Sequence, residues 1–210
     1  LDNNIVYRLM GSEKAKMLFT SPPYNMAANL YMDYKDNMNS QDYIQFNLDV
    51  IKNFVPYIKG FLFWNLSYNK NSRWEFIEII YRIIKESGLR FLELIVWDKT
   101  HGMPITSSDM LTRQHEEILL AVDYETLQHD IEWISLYSTE KRVCFNKRSV
   151  RGLSNYWKIS SDKSQTDELL ACFPLELPEK AIKIATVEGD IIIDCFLGSG
   201  TTLIACERMN

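Results

Sequence analysis

The sequence predicts an α/β protein, a single sheet with helices packed on both faces. Three observations carry this. Short apolar runs at 16–20, 60–64, 91–97, 117–122 and 191–194 have the length of buried strands. The segments between several of them repeat apolar residues at helical spacing. There is no internal repeat or low-complexity stretch, and 210 residues suffice for one domain with a full core but not for two large ones.

The elements follow in chain order. Residues 16–20 form a strand that runs into Ser21-Pro22-Pro23-Tyr24. Residues 41–57 place Tyr43, Ile44, Phe46, Leu48, Val50, Ile51, Phe54 and Val55 close to one helical stripe, with Ser40 as the N-cap. Residues 60–64 are a compact apolar strand. Residues 72–85 read as a helix whose buried face is Phe76, Ile77, Ile79, Ile80, Ile83 and Ile84, stopped by Gly88. A strand at 91–97 leads into an irregular stretch, 98–112, containing Gly102 and Pro104, and then a strand at 117–122. From about 132 to 163 the periodicity is poor, which predicts a loop-rich insertion. Residues 178–186 are helical with proline in the first turn. The strand at 191–194, the turn Gly198-Ser199-Gly200 and a helix at 201–208 complete the chain.

Composition narrows the function classes. Hydrophobic residues make up 46%, as in a folded globular chain. No apolar stretch approaches a membrane span, and Leu1-Asp2-Asn3-Asn4 has neither the basic region nor the apolar core of a secretory signal. Cys144, Cys172, Cys195 and Cys206 form no C-x-x-C pair, and His101, His115 and His129 do not cluster with them. No metal site is expected, and unpaired cysteines point to a reducing, cytoplasmic compartment.

The net charge of −5 argues weakly against nucleic acid, but its distribution matters more. Lys141, Arg142, Lys147, Arg148, Arg151 and Lys158 lie in a stretch without Asp or Glu, interleaved with Phe145, Tyr156 and Trp157. Cations with aromatics suit phosphates and stacked bases, and a solvated basic loop is the other reading.

Two loops carry the chemistry. In Ser21-Pro22-Pro23-Tyr24 neither proline has an N–H, so the backbone offers acceptors and few donors. The residue before each proline is held extended, which stiffens the loop. Tyr24 adds a ring face suited to a planar heterocycle. Such a loop could grip an amino group on a flat heterocycle, or it could be a plain strand-end turn. Asn25, Met26 and Asn29 just beyond it either line a ligand pocket beside the loop or belong to the loop surface. The second loop, Asp194-Cys195-Phe196-Leu197-Gly198-Ser199-Gly200-Thr201-Thr202, joins a strand to a helix N-terminus, where a ligand can approach the backbone and an anionic group is favoured. It is not a Walker loop, since no lysine follows Gly200, and it is not G-x-G-x-x-G.

As a pair, the loops resemble those of the S-adenosylmethionine-dependent DNA amino-methyltransferases that act on N4 of cytosine or N6 of adenine. Their catalytic loop is Asp/Asn/Ser-Pro-Pro-Tyr/Phe. Their cofactor motif is Asp-Pro-Phe-x-Gly-Ser-Gly-Thr-Thr, matched here except for Cys195 in place of proline. Phe173-Pro174-Leu175-Glu176-Leu177-Pro178-Glu179-Lys180 resembles the segment before that motif, although Ala171-Cys172 stands where the family often has histidine. Trp97-Asp98-Lys99 and Arg113-Gln114-His115-Glu116-Glu117 resemble segments between the two motifs. The catalytic loop comes first and the cofactor loop last, the permuted order of the family's beta group.

The resemblance implies a Rossmann-like sheet, one methyltransferase domain over 1–210, S-adenosylmethionine as cofactor and DNA as partner. It assigns Ser21, Pro22, Pro23 and Tyr24 to catalysis. The Ser21 side chain and Pro22 carbonyl would accept the amino hydrogens, and Tyr24 would stack on a flipped base. It assigns Thr20, Phe173, Asp194, Phe196, Gly198, Ser199, Gly200, Thr201 and Thr202 to the cofactor. Lys141, Arg142, Lys147, Arg148 and Arg151 fall where the group often reads DNA. Serine in the first motif position is commoner among N4-cytosine enzymes and aspartate among N6-adenine enzymes, so Ser21 leans toward cytosine while both stay open. A homodimer and a partner restriction enzyme are compatible with the group. The family continues for two more strands past the point where Asn210 stands, one with an acidic residue for the cofactor ribose, so the resemblance implies a catalytic domain incomplete at its C-terminus. The competing readings are an RNA or protein amino-methyltransferase, whose motif order is usually the reverse, and a DNA-binding module of the same fold without turnover.

Overall fold

A six-stranded sheet organises the chain in the computed structural model, which describes residues 8, 10–26, 36–101, 111–129, 154–161 and 173–209. Its strands are β1 (Ala15–Thr20), β2 (Ile58–Leu66), β3 (Arg90–Asp98), β4 (His115–Val122), β5 (Tyr156–Lys158) and β6 (Ile192–Ile193), in the order β5-β3-β4-β2-β1-β6. The helices are α1 (Ser40–Phe54), α2 (Arg73–Glu86), α3 (Tyr124–His129), α4 (Glu176–Ala185) and α5 (Thr201–Met209). β1 pairs in parallel with both β2 and β6, and β4 runs antiparallel between β2 and β3.

Alternation along the strands builds two cores. Leu18, Leu62, Trp64 and Leu119 point to one face and meet α1 and α2 through Ile44, Leu48, Ile79 and Ile83. Phe19, Phe63, Ile118 and Trp97 point to the other and meet α4 and α5 through Leu177, Ala181 and Ala205. Helices thus cover both faces, as expected.

Three details differ from the sequence reading. Asn39, not Ser40, caps α1, because its side chain accepts from the Asp42 N–H at 3.0 Å. Ser40 instead donates to Glu75 of α2. The helix stops at Phe54, and Pro56 belongs to a 3-10 turn, Val55–Tyr57. The predicted loop-rich insertion at 132–163 contains a strand where it is described: β5 pairs in parallel with β3, burying Trp157 between exposed Tyr156 and Lys158. Three residues are too few for a periodic signal to reveal them.

Gly60 marks a close approach. The pairing shifts register between Ala15 and Met17, so Lys59 and Gly60 lie opposite Lys16 alone. A Cβ on Gly60 would stand 2.0 Å from the Lys16 carbonyl oxygen, a backbone atom that cannot swing away. Gly60→Ala is therefore expected to destabilise the protein by roughly 2–4 kcal/mol, read as a lowered denaturation midpoint at unchanged slope.

Candidate active site

The topology brings the first and last strands side by side, and with them the two loops. Both strands are parallel, so Thr20 and Asp194 leave the sheet at the same edge. Thr20 Oγ1, fully buried, donates to Asp194 Oδ1 at 2.7 Å. The same carboxylate oxygen accepts from the Phe196 N–H at 3.1 Å, and its other oxygen accepts from Thr202 Oγ1 at 2.6 Å. Asp194 therefore ties β1, the glycine loop and the first turn of α5 together.

Beyond Asp194 the loop presents backbone. Gly198 and Gly200 have φ of 54° and 83°, conformations costly for any side chain. A Cβ on Gly200 would meet nothing within 4 Å, and one on Gly198 only the Phe196 carbonyl at 3.8 Å. The open space and the α5 N-terminus fit a cofactor whose amino-acid end carries a carboxylate. Ser199 and Thr201 pair their hydroxyls at 2.9 Å. Phe196 turns its ring into the core, 5.7 Å from Phe46 and 6.4 Å from Trp64 between ring centroids, and so anchors the loop. Phe173 meets Phe19 edge-on at 5.5 Å. The Cys195 thiol contacts Thr20 Oγ1 at 3.7 Å, and burial pushes its pKa up to about 12, which keeps it a protonated packing group.

The Ser-Pro-Pro-Tyr loop is pinned from two sides. Ser21 Oγ and Tyr24 OH lie 2.7 Å apart. Tyr24 OH donates to Glu116 Oε2 at 2.8 Å, and Asn65 Nδ2 donates to Tyr24 OH at 2.7 Å and to Glu116 Oε2 at 3.0 Å. Lys99 closes the cluster with a 2.9 Å ion pair to Glu116 Oε1. Past Tyr24 the backbone turns through Asn25 at φ 57°. The N–H groups of Asn25 and Met26 both donate to Asp36, at 2.9 and 3.0 Å, and Asn25 Nδ2 donates to the Met38 carbonyl at 2.8 Å. Burial raises the Asp36 pKa, and these two N–H bonds oppose it.

Comparison with known proteins identifies the family. A family model described as DNA methylase, of the N6/N4 type, matches residues 15–210. The chain belongs to the N6/N4 DNA methylase family. Among its relatives, Type II methyltransferase M.HpaI of Haemophilus parainfluenzae is 26% identical over 92% of this chain and 61% of its own length. Type II methyltransferase M.BglII of Bacillus subtilis is 22% identical over 92% of this chain and 57% of its own. The chain thus spans about three-fifths of the length of these relatives. The PvuII DNA methyltransferase, titled cytosine-N4-specific, has the same fold with a TM-score of 0.65 at 19% identity, covering 98% of this chain and 76% of that one. The M1.HpyAVI–SAM complex aligns with a TM-score of 0.60 at 23% identity over 100% and 86% of the two chains.

In this member of the N6/N4 DNA methylase family the structure brings Thr20, Ser21, Tyr24, Asp194, Phe196, Thr201 and Thr202 to one sheet edge. The five predicted DNA contacts from Lys141 to Arg151, like Asn29, lie outside the described residues. Asn65 stands out as a site residue that sequence reasoning missed, along with the direct role of Glu116. Glu116 and Glu117 are neighbours on β4 and so face opposite sides of the sheet. Glu116 reaches the Ser-Pro-Pro-Tyr loop, while Glu117 accepts from Arg113 at 2.8 Å and faces His115 at 3.0 Å. Burial raises the Glu117 pKa, and the Arg113 guanidinium beside it opposes the rise. Among the described residues no group of His, Cys, Asp or Glu is arranged to hold a metal, and no helix is long and apolar enough to cross a membrane.

Proposed function

We propose that this methylase moves a methyl group from S-adenosylmethionine to the exocyclic amino group of a cytosine or adenine flipped out of DNA. The observation that carries the reading is the Thr20–Asp194 bond, which sets the glycine loop beside the Ser-Pro-Pro-Tyr loop. When bound, the cofactor supplies an electrophilic methyl on a sulfonium. The chain supplies the rest. Gly198, Gly200 and the α5 N-terminus receive the cofactor's amino-acid end. An aromatic amine is a poor nucleophile, because its lone pair is delocalised into the ring. Acceptors on its hydrogens favour the pyramidal nitrogen of the transition state, and Ser21 Oγ and the Pro22 carbonyl fill that role. Tyr24 offers its ring to the flipped base. In-line placement supplies much of the rate.

Ser21 supports cytosine N4 as the target, and the fold shared with a cytosine-N4-specific enzyme is consistent with it. The Type II names of the relatives support a restriction-modification setting, hence a cytoplasmic enzyme acting on its own cell's DNA. A homodimer is compatible with this setting. The basic stretch is the proposed DNA contact. Neutralising Lys147, Arg148 and Arg151 together is expected to weaken DNA binding and to lower the slope of log K against log salt by about 2–3. Titration of S-adenosylmethionine into the full-length protein tests the enzyme reading. Saturable binding is expected, and its absence would favour a DNA-binding module without turnover.

A further inference from the structure

A serine hydroxyl is both donor and acceptor, and only its lone pairs help an amino group lose its planarity. The contacts around Ser21 decide which it presents. Glu116 is an acceptor for three groups: Lys99 Nζ at 2.9 Å on Oε1, with Asn65 Nδ2 at 3.0 Å and Tyr24 OH at 2.8 Å on Oε2. A carboxylate bound by an ammonium has no proton to return, so the phenolic proton lies between Tyr24 and Glu116. The 2.7 Å contact between Ser21 Oγ and Tyr24 OH must then carry the serine proton.

Asn65 reinforces this order. Its Nδ2 has two protons and three acceptors, Tyr24 at 2.7 Å, Glu116 at 3.0 Å and Ser21 at 3.3 Å, and the two shorter contacts take them. Turned over, the amide would set its oxygen against the Glu116 carboxylate. In place, its Oδ1 is buried with no hydrogen-bond partner among the described residues, a cost that the donated bonds offset.

We infer that the Tyr24 hydroxyl and Glu116 are positioning residues: together they turn the Ser21 proton inward and lock its oxygen as an acceptor for the target amine. The inference rests on the methyl-transfer reading above. An aspartate in place of Ser21 has no hydroxyl proton to turn and needs no such lock.

The test is a set of single-turnover assays on Tyr24→Phe, Ser21→Asp and Tyr24→Phe/Ser21→Asp, with Tyr24→Phe/Glu116→Gln as a fourth variant. Phenylalanine keeps the ring for stacking. Tyr24→Phe is expected to lower kcat roughly ten- to a hundredfold, with KM for DNA and cofactor affinity within about twofold. Measured against Ser21→Asp, the same change is expected to cost less than about threefold, and adding Glu116→Gln to Tyr24→Phe is expected to cost little more than Tyr24→Phe alone. An unchanged kcat in Tyr24→Phe, an equal loss in both Ser21 backgrounds, or a loss seen in cofactor affinity would overturn the inference. Absence of transfer by the wild-type protein would instead refute the function on which it rests.

Discussion

Ser21→Ala is expected to leave folding and cofactor affinity unchanged while lowering methyl transfer by roughly 10²- to 10³-fold. The side chain is half-buried at the end of β1, and its removal creates no sizeable cavity. What is lost is an oriented acceptor, and the effect belongs to kcat because that contact strengthens as the amine becomes pyramidal. The Pro22 carbonyl stays, so a residual rate should remain. Single-turnover rates beside a denaturation curve give the answer. A proportional loss of stability would assign Ser21 to structure instead.

Asp194→Ala is expected to act through the cofactor. The carboxylate accepts from Thr20 Oγ1, the Phe196 N–H and Thr202 Oγ1, at 2.7, 3.1 and 2.6 Å. Without it the buried Thr20 hydroxyl loses its principal acceptor and the glycine loop loses its tether to β1. Charge-assisted hydrogen bonds contribute about 1.5–3 kcal/mol each and do not add fully, so a loss of about 3 kcal/mol is expected, roughly a hundredfold in cofactor affinity. Asp194→Asn keeps the shape and one acceptor oxygen, but its NH2 cannot accept from Thr202. Its affinity should fall between wild type and alanine. Calorimetric titration of both variants measures this, and wild-type affinity in Asp194→Ala would remove the residue from the cofactor site.

The two loops were legible because each is a local pattern. Proline pairs and glycine turns constrain the backbone by themselves, and both follow apolar runs that announce strands. Because both loops end strands of an α/β sheet they could share one crevice, and β1 lying between β2 and β6 brings them together. Asn65, by contrast, was hidden. It is one polar residue at the end of the apolar run of β2, and its value comes from Tyr24 and Glu116, 41 and 51 residues away. Glu116 and Glu117 are adjacent in sequence, and the two-residue period of β4 sends them to opposite faces. Ser40 was expected to cap α1, and the extended backbone and side-chain bond at the adjacent Asn39 give that role to Asn39 instead.

Transfer of tritium from methyl-labelled S-adenosylmethionine to duplex DNA by the full-length protein, followed by nucleoside analysis, tests the joint site most directly. Label in N4-methylcytosine is the expected result, and N6-methyladenine would keep the amino-transfer site while reversing the cytosine assignment. Label in 5-methylcytosine, or in RNA or protein and not in DNA, would contradict the account.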